Sequence, residues 1–239
     1  MRDPKKAFTL IELLVVIAII ALLLSIMTPA LRKAKDSAQT MICRSNLKQY
    51  GIATQMYLED YDQRFPNPYT WLLTTGKVPK KGEDPDGCLW PYLASLDVHM
   101  CPKFSTVRMG TQSENYAFSY SMNAYLTPPI WSNWLGTNVR GVEKATEVHR
   151  PSGVIAFTEE NAKTIPGYSG WPLNDTHFTV GNRQRFIDNY ATYHRAPDSQ
   201  LEQGAANMVF VDGSVNSLFR KDNDLDVGFR LAWPKASVR

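Results

Sequence analysis

An apolar stretch at residues 8–31 contains a single charged residue, Glu12, close to its beginning. A helix of this length spans about 36 Å, which exceeds the bilayer hydrocarbon thickness of about 30 Å. An ionised carboxylate in hydrocarbon costs on the order of 3 kcal/mol, so a partner is expected for it. The stretch therefore predicts a membrane-spanning helix in which Glu12 has a specific role.

The short basic segment ahead of the stretch indicates what that partner is. Removal of residues 1–7 places a new α-amine on Phe8, one helical turn from Glu12. An amine on one subunit and Glu12 on its neighbour neutralise each other in a low-dielectric setting, and we expect this pair to set the axial register of stacked helices. An ordinary signal peptide and a plain membrane anchor remain as alternatives, although a signal peptide gains nothing from Glu12.

Residues 5–16, with Pro29 near the end of the apolar stretch, resemble the class III signal of type IV pilins and type II secretion pseudopilins. The resemblance implies that prepilin peptidase cuts between Ala7 and Phe8 and that Phe8 is N-methylated. It also implies assembly through Phe8, Glu12 and Pro29. The residue before the cut is usually Gly in that family, and here it is Ala7.

The resemblance extends further along the chain. Residues 43–49, 101–102, 119–123 and 206–213 resemble a group of prepilin-like proteins of the planctomycete and verrucomicrobial kind. That group carries a His nine residues ahead of an Asp-Gly pair close to its C-terminus.

This chain departs from the spacing that names the group. Between His194 and Asp212 lie 17 residues, and Glu202 stands where the His is expected. Either residues 196–203 are an insertion that moves His194 away, or the His of the group is missing.

The patterns divide the chain into four predicted parts. In order these are a cleaved leader at 1–7, a transmembrane and filament-core helix at 8–31, an amphipathic continuation of that helix at 32–60, and a globular head at 61–239. Positive charge before the apolar stretch places the leader in the cytoplasm. We therefore expect a single-pass inner-membrane protein with a periplasmic head, found in a filament or at the cell surface after assembly.

The continuation of the helix carries a stripe of residues at spacings of three and four, which predicts packing on a sheet. Its members are Cys43, Leu47, Tyr50, Gly51, Tyr57 and Leu58. Pro29 predicts a kink or a melted turn, because proline has no N–H to donate. Pro66 predicts that the helix ends within residues 59–66.

The head combines turn-rich and strand-like sequence. Proline and glycine residues between 66 and 150 predict loops with short helices, one of them around residues 90–96. Residues 153–158 predict a strand, and residues 207–219 predict a hairpin with Asp212-Gly213 as a two-residue turn. Most of the tryptophans, Trp71, Trp90, Trp131 and Trp134 among them, are expected in the core. The predicted fold class is α+β and pilin-like: a long N-terminal α-helix, membrane-spanning in its first half, packed on a small antiparallel sheet with loop-rich insertions.

The chain contains three cysteines, and the predicted location outside the cytoplasm permits disulfides. A disulfide between Cys88 and Cys101 would close a short loop, and buried thiols are the alternative. A metal site is disfavoured because no C-x-x-C pair is present.

Catalytic patterns are missing from the sequence, so the chain is not expected to be an enzyme. The adjacent Glu159 and Glu160 are interpreted as a solvated strand end rather than an acid–base pair. No organic cofactor is expected. The one cofactor hypothesis is calcium, bound by Asp222, Asp224 and Asp226, with residues 84–87 as a weaker candidate and a solvated acidic turn as the alternative.

A structural role follows from these patterns. The chain is expected to be a pseudopilin-like subunit of a type II secretion pseudopilus or a type IV pilus-like filament. Its expected partners are its own copies, other minor pilins, the prepilin peptidase and the inner-membrane assembly platform. The net charge of +3 falls close to neutral without the leader, which argues against a nucleic-acid partner. The alternative function is a membrane-tethered surface module that recognises a ligand such as a polysaccharide.

Overall fold

The computed structural model describes most of the chain. The described residues are 9–76, 79–80, 82–93, 95–107, 115–127, 141–162, 173, 175–179, 188, 190–196, 203–219, 230–232 and 235. The chain divides into two compact units, Met1–Ala38 and Gln39–Arg239.

Helix α1, Leu10–Asp60, is the longest element. It is long and apolar enough to cross a membrane by length and composition. Pro29 lies inside the helix without breaking it, so a melted turn is wrong, whereas a kink at Pro29 stays a prediction. The hydroxyl of Ser25 donates to the Leu22 carbonyl at 2.7 Å and that of Thr28 donates to the Leu24 carbonyl at 2.7 Å. These side-chain bonds support the turn before Pro29, so that the loss of one backbone donor is tolerated.

The C-terminal half of α1 confirms the predicted stripe. All six of its residues are buried: Cys43, Leu47, Tyr50, Gly51, Tyr57 and Leu58. The helix ends at Asp60, within the predicted range. Asp62 and Gln63 follow with positive φ angles of 51° and 60°, which turn the chain away from the helix axis.

In the part of the chain that the structure describes, five strands form one sheet in the order β3-β1-β2-β4-β5. The strands are β1 (Tyr120–Asn123), β2 (Ile155–Glu159), β3 (His177–Phe178), β4 (Ala205–Phe210) and β5 (Val215–Phe219). Three neighbouring pairs are antiparallel and the β1–β3 pair is parallel. The α+β class is therefore confirmed, with a mixed sheet in place of the predicted antiparallel one.

The β4–β5 hairpin is present as predicted, with a different turn. Val209 pairs with Val215, and Gly213 donates its N–H to the Phe210 carbonyl at 2.8 Å. Gly213 has a φ of 78°, whereas Asp212 is not among the residues with positive φ. The loop is therefore a three-residue turn that ends in a left-handed glycine, not a two-residue Asp-Gly turn.

Aromatic side chains fill the space between the C-terminal half of α1 and the sheet. Trp71 is completely buried, with its ring centroid 5.5 Å from that of Tyr50 and 5.1 Å from that of Phe157. The Trp71 indole N–H donates to the Thr176 carbonyl at 2.8 Å, so its polar atom is satisfied in the core. This confirms the core role predicted for Trp71; Trp131 and Trp134 lie outside the described residues.

The other helical elements among the described residues are short, and most of them precede β1. They are α2 (Pro102–Val107) and four 3-10 turns at Trp90–Tyr92, Leu96–His99, Ala145–Glu147 and Pro151–Gly153. The helix predicted around residues 90–96 is thus resolved into two 3-10 turns. Pro91 lies within the first of them, where its lack of an N–H is tolerated.

Candidate functional site

The start of helix α1 is built by two residues that bond to each other. The backbone N–H of Thr9 donates to Glu12 Oε2 at 2.9 Å, and the N–H of Glu12 donates to Thr9 Oγ1 at 3.3 Å. The Thr9 hydroxyl also donates to Glu12 Oε2, at 2.8 Å. This reciprocal arrangement is a capping box, which satisfies N–H groups that have no partner inside the helix. The sequence signal for it is Thr-x-x-Glu, and the sequence analysis missed it.

The helix that follows exposes an uninterrupted apolar surface. Its exposed large side chains are Leu10, Ile11, Leu13, Leu14, Val15, Val16, Ile17, Ile19, Ile20, Leu22, Leu23, Leu24, Ile26, Met27 and Leu31. Soluble proteins rarely expose apolar patches beyond a few hundred Å². This surface is suited to lipid or to other apolar helices, and Glu12 is its only carboxylate. Pro29 lies on the same segment, whereas the predicted cleavage site at Ala7 and Phe8 lies outside the described residues.

The predicted cysteine pairing is wrong. Cys101 forms a disulfide with Cys43, with their Cα atoms 5.1 Å apart, and Cys88 is a free thiol. Cys43 lies on the buried stripe of α1, and Cys101 is fixed where its N–H donates to Ser119 Oγ at 2.7 Å. Chain folding, not closeness in sequence, brings these two sulfurs together. Cys88 is half-buried, which raises the pKa of its thiol.

The two adjacent carboxylates also depart from expectation. Glu159 and Glu160 are both completely buried, so the interpretation as a solvated strand end is wrong. Glu159 lies with Oε1 2.9 Å from His194 Nε2 and accepts the Asn207 N–H on Oε2 at 2.8 Å. Among the described residues, Glu160 has no hydrogen-bond partner for either carboxylate oxygen. Glu159 ends β2 and Glu160 directly follows it, and because successive residues of an extended chain face opposite sides, the two carboxylates have different surroundings.

His194 lies beside strand β4 despite its unusual distance from Asp212 in sequence. The N–H of His194 donates to the Ala205 carbonyl at 3.2 Å, and the N–H of Ala205 donates to the His194 carbonyl at 2.8 Å. The separation of the two residues in sequence therefore does not prevent His194 from pairing with Ala205. His194 itself is 1% exposed.

The main calcium hypothesis stays a prediction. Asp222, Asp224 and Asp226 lie outside the described residues. In the weaker candidate, residues 84–87, the carboxylate of Asp86 accepts the Thr74 N–H at 2.8 Å and the Thr74 hydroxyl at 2.7 Å. Those bonds lower the pKa of Asp86 and account for its position in the turn.

Comparison with known families finds a match at the N-terminal end of the chain, where helix α1 begins. Residues 2–28 match the family model of the prokaryotic N-terminal methylation motif. Comparisons with curated proteins and with solved structures found no match. The match covers Glu12 together with most of the apolar surface, and it supports the resemblance of this segment to prepilin-like proteins.

Proposed function

We propose that this chain is a structural, pseudopilin-like subunit, processed by prepilin peptidase and assembled through helix α1 into a type IV pilus-like filament or a type II secretion pseudopilus. The observation that carries the proposal is one carboxylate at the start of an exposed apolar helix, inside a segment that matches the methylation motif. Cleavage after Ala7 creates the α-amine of Phe8, which is then methylated. Neither step requires a cofactor bound to this chain.

In this proposal, assembly gives Glu12 a new hydrogen-bond donor in addition to, or in place of, the Thr9 donors of the capping box. In the isolated chain, Glu12 Oε2 accepts two hydrogen bonds from Thr9, both from uncharged donors. A protonated amine from a neighbouring Phe8 is a stronger donor to the same carboxylate, because charge-assisted hydrogen bonds are about twice as strong as neutral ones. Glu12 Oε1, for which no bond to Thr9 is present, is the oxygen on which the amine docks first.

The rest of the chain has a separate role in this proposal. The apolar face of α1 packs against other copies in the filament interior, where van der Waals contacts between helices replace contacts with lipid. The head faces outward and supplies any cargo specificity. Before assembly the subunit waits in the inner membrane, and its partners are its own copies, minor pilins, the prepilin peptidase and the assembly platform.

Two substitutions separate the charge of Glu12 from its capping role. Glu12→Gln removes the charge and keeps an acceptor, since Gln also serves in capping boxes. Thr9→Ala removes the cap and keeps the charge. We expect the Glu12→Gln protein to insert and to be cleaved but to be missing from sheared surface filaments, and the Thr9→Ala protein to be incorporated. Electron microscopy and immunoblots of the sheared fraction provide the measurement, and mass spectrometry of the N-terminus tests for methylated Phe8.

Three outcomes contradict the proposal. Incorporation of the Glu12→Gln protein at the wild-type level shows that assembly does not use the charge. A mature protein that begins after residue 31 shows that the apolar helix is discarded as a signal peptide. A chain that keeps the helix and is never found in a filament favours the tethered binding module instead.

A further inference from the structure

Four side chains with metal-ligating atoms converge inside the unit formed by residues 39–239. They are Cys43 on α1, Cys101 directly before α2, Glu159 at the end of β2 and His194 beside β4. Their ligand atoms all lie within 4.8 Å of one another. Each of the four residues is at most 1% exposed. Cys101, Glu159 and His194 follow Cys43 by 58, 116 and 151 positions in the sequence, yet all four side chains meet at one point in the core.

The donor set matches one class of metal. Thiolate, imidazole and carboxylate are the ligands that Zn²⁺ takes in tetrahedral sites, with bonds of about 2.3 Å to sulfur and about 2.0–2.2 Å to nitrogen or oxygen. Such bonds place the ligand atoms about 3.3–3.8 Å apart. Cys101 Sγ is 3.4 Å from His194 Nε2, which already agrees with that spacing. The two sulfurs, now bonded to each other, have to separate, and Glu159 Oε1 and His194 Nε2, now 2.9 Å apart, have to move slightly apart as well.

The surrounding hydrogen bonds orient the ligands toward a common centre. Thr40 Oγ1 lies 3.2 Å from His194 Nδ1, so in a metal-bound form it can accept the Nδ1 proton while Nε2 binds the metal. Asn207 holds Glu159 Oε2 through its N–H, which leaves Oε1 facing the cluster. Fixing the far nitrogen of a histidine ligand and the far oxygen of a carboxylate ligand is the usual arrangement around protein-bound zinc.

Simpler structural roles explain the cysteine pair and the Glu159–His194 pair separately, but they do not explain why the two pairs lie side by side. A disulfide accounts for Cys43 and Cys101. Mutual pairing accounts for Glu159 and His194, since a buried charge requires a partner. The disulfide does not require the Glu159–His194 pair to lie within 4.8 Å of it, and that pair does not require the disulfide nearby. A metal site, in contrast, requires all four ligand atoms to lie together.

We propose that Cys43, Cys101, Glu159 and His194 bind one Zn²⁺ when the cysteines are reduced. The disulfide and the metal are then alternative cross-links between α1 and the sheet at the same place. A thiol reductant breaks the S–S bond, supplies two electrons and two protons, and becomes a disulfide itself. When Zn²⁺ binds, the two thiols release their protons to solvent. A newly made chain, whose thiols have not yet met an oxidant, is the form that binds the metal.

The test compares two redox states of one protein, so that it does not depend on a variant that fails to fold. The full chain is prepared in detergent with Cys88→Ser, which removes the third thiol, and is studied as the oxidised and the anaerobically reduced form. Each form is titrated with Co²⁺ as a spectroscopic probe and then with Zn²⁺. We expect the reduced form to bind one metal per chain, with the intense visible bands of tetrahedral Co²⁺ and a thiolate-to-cobalt charge-transfer band that Zn²⁺ abolishes. The oxidised form is expected to show neither band.

Matched variants test the ligand set. Glu159→Gln and His194→Asn are each expected to weaken Zn²⁺ binding by at least about tenfold, the usual minimum for losing a ligand or its support. Glu160→Gln changes the adjacent buried carboxylate, which is not in the cluster, and is expected to bind like the parent. X-ray absorption of the zinc form should show two sulfur and two lighter ligands. Equal metal binding by the two redox forms, a six-coordinate cobalt spectrum, or zinc ligation without sulfur would each overturn the proposal.

Discussion

Thr9 and Glu12 hold each other at the start of helix α1, with each backbone N–H bonded to the side chain of the other residue. The residue predicted to pair with a neighbouring subunit is thus engaged within its own chain. Because Glu12 serves both as a cap and as the proposed docking charge, its substitution by Ala alters two properties at once. This overlap explains why the charge has to be tested with Gln and the cap with a change at Thr9.

The first prediction concerns the cap alone. Thr9→Ala removes both bonds made by the threonine hydroxyl and is expected to destabilise the first turn of α1 by about 1 kcal/mol. Hydrogen exchange of the full chain in detergent, followed by mass spectrometry, should show faster exchange at the amides of residues 10–13. Thr28→Ala is the matched control, because that threonine bonds to a carbonyl in the interior of the same helix. Faster exchange at residues 10–13 in the control as well would contradict a role specific to the cap.

The second prediction concerns the contact between α1 and the β4–β5 hairpin. A Cβ added to Gly51 would lie 2.9 Å from Val209 Cγ2 and 3.2 Å from the Cα of Gly213. Gly51→Ala is therefore expected to lower the free energy of unfolding by about 1–3 kcal/mol, against the usual gain from replacing glycine in a helix. Urea unfolding provides the measurement. Gln49→Ala, at an exposed position on the same helix, should stay within about 0.5 kcal/mol of the parent.

A double variant tests the cause of that destabilisation. Val209→Ala removes the methyl group that a side chain at position 51 would meet. The combination of Gly51→Ala with Val209→Ala should therefore destabilise less than the two single changes added together. Simple additivity would show that the contact with Val209 does not account for the effect.

Elements with a strong local pattern were predictable from the sequence. The buried stripe of α1, its end before Pro66 and the β4–β5 hairpin all follow from residue spacing and turn residues. Strand β1 was missed because Tyr120–Asn123 has only four residues and lies in turn-rich sequence, and the burial of its polar residues Ser121 and Asn123 depends on contacts with distant segments. Strand β3 contains only two residues, His177 and Phe178, which is too short for a pattern.

The buried polar cluster was unpredictable for a different reason. Cys43 and Cys101 are 58 residues apart, and only the packing of α1 on the sheet shows that they meet. Glu159 looked like a solvated carboxylate, since its partner His194 lies on a distant segment. Local sequence reports propensity and periodicity, whereas the pairing of buried polar groups is set by long-range topology.

The third prediction concerns acid sensitivity. Burial lowers the pKa of His99 to about 4, and the Tyr50 hydroxyl lies 2.5 Å from His99 Nδ1. An unfolded histidine has a pKa of about 6.5, so between about pH 6.5 and 4 only the unfolded chain binds this proton. His99 therefore makes stability fall as the pH falls through that window, by up to about 3 kcal/mol.

His99→Asn tests this effect, since the Asn side-chain oxygen can replace Nδ1 as an acceptor for Tyr50. Urea unfolding at several pH values between 7 and 4.5 should show a smaller loss of stability on acidification in the variant than in the parent. The slope is the readout, because the variant is also less well packed. Equal slopes in the two proteins would mean that His99 is protonated in the folded chain.

The fourth prediction concerns a carboxylate with the opposite sign of pH dependence. Burial, and then the charges of Asp188 and Asp175, raise the pKa of Glu160. The folded chain keeps this proton after the unfolded chain has released it, so the contribution of Glu160 to stability is full below about pH 4.3 and is lost as the pH rises through the folded pKa. Glu160→Gln should therefore raise the free energy of unfolding at pH 8, by about 1–3 kcal/mol, and raise it less at pH 5.

The neighbouring carboxylate is the control for this reasoning. Glu159 has partners in His194 and the Asn207 N–H, so Glu159→Gln should destabilise the chain at pH 8, where Glu160→Gln stabilises it. The two variants make the same chemical change at adjacent positions, at the end of β2 and directly after it, and differ in what the side chain contacts. If both variants are less stable than the parent at pH 8, Glu160 is held by a favourable interaction. If both variants are more stable, the contact between Glu159 and His194 contributes nothing to folding.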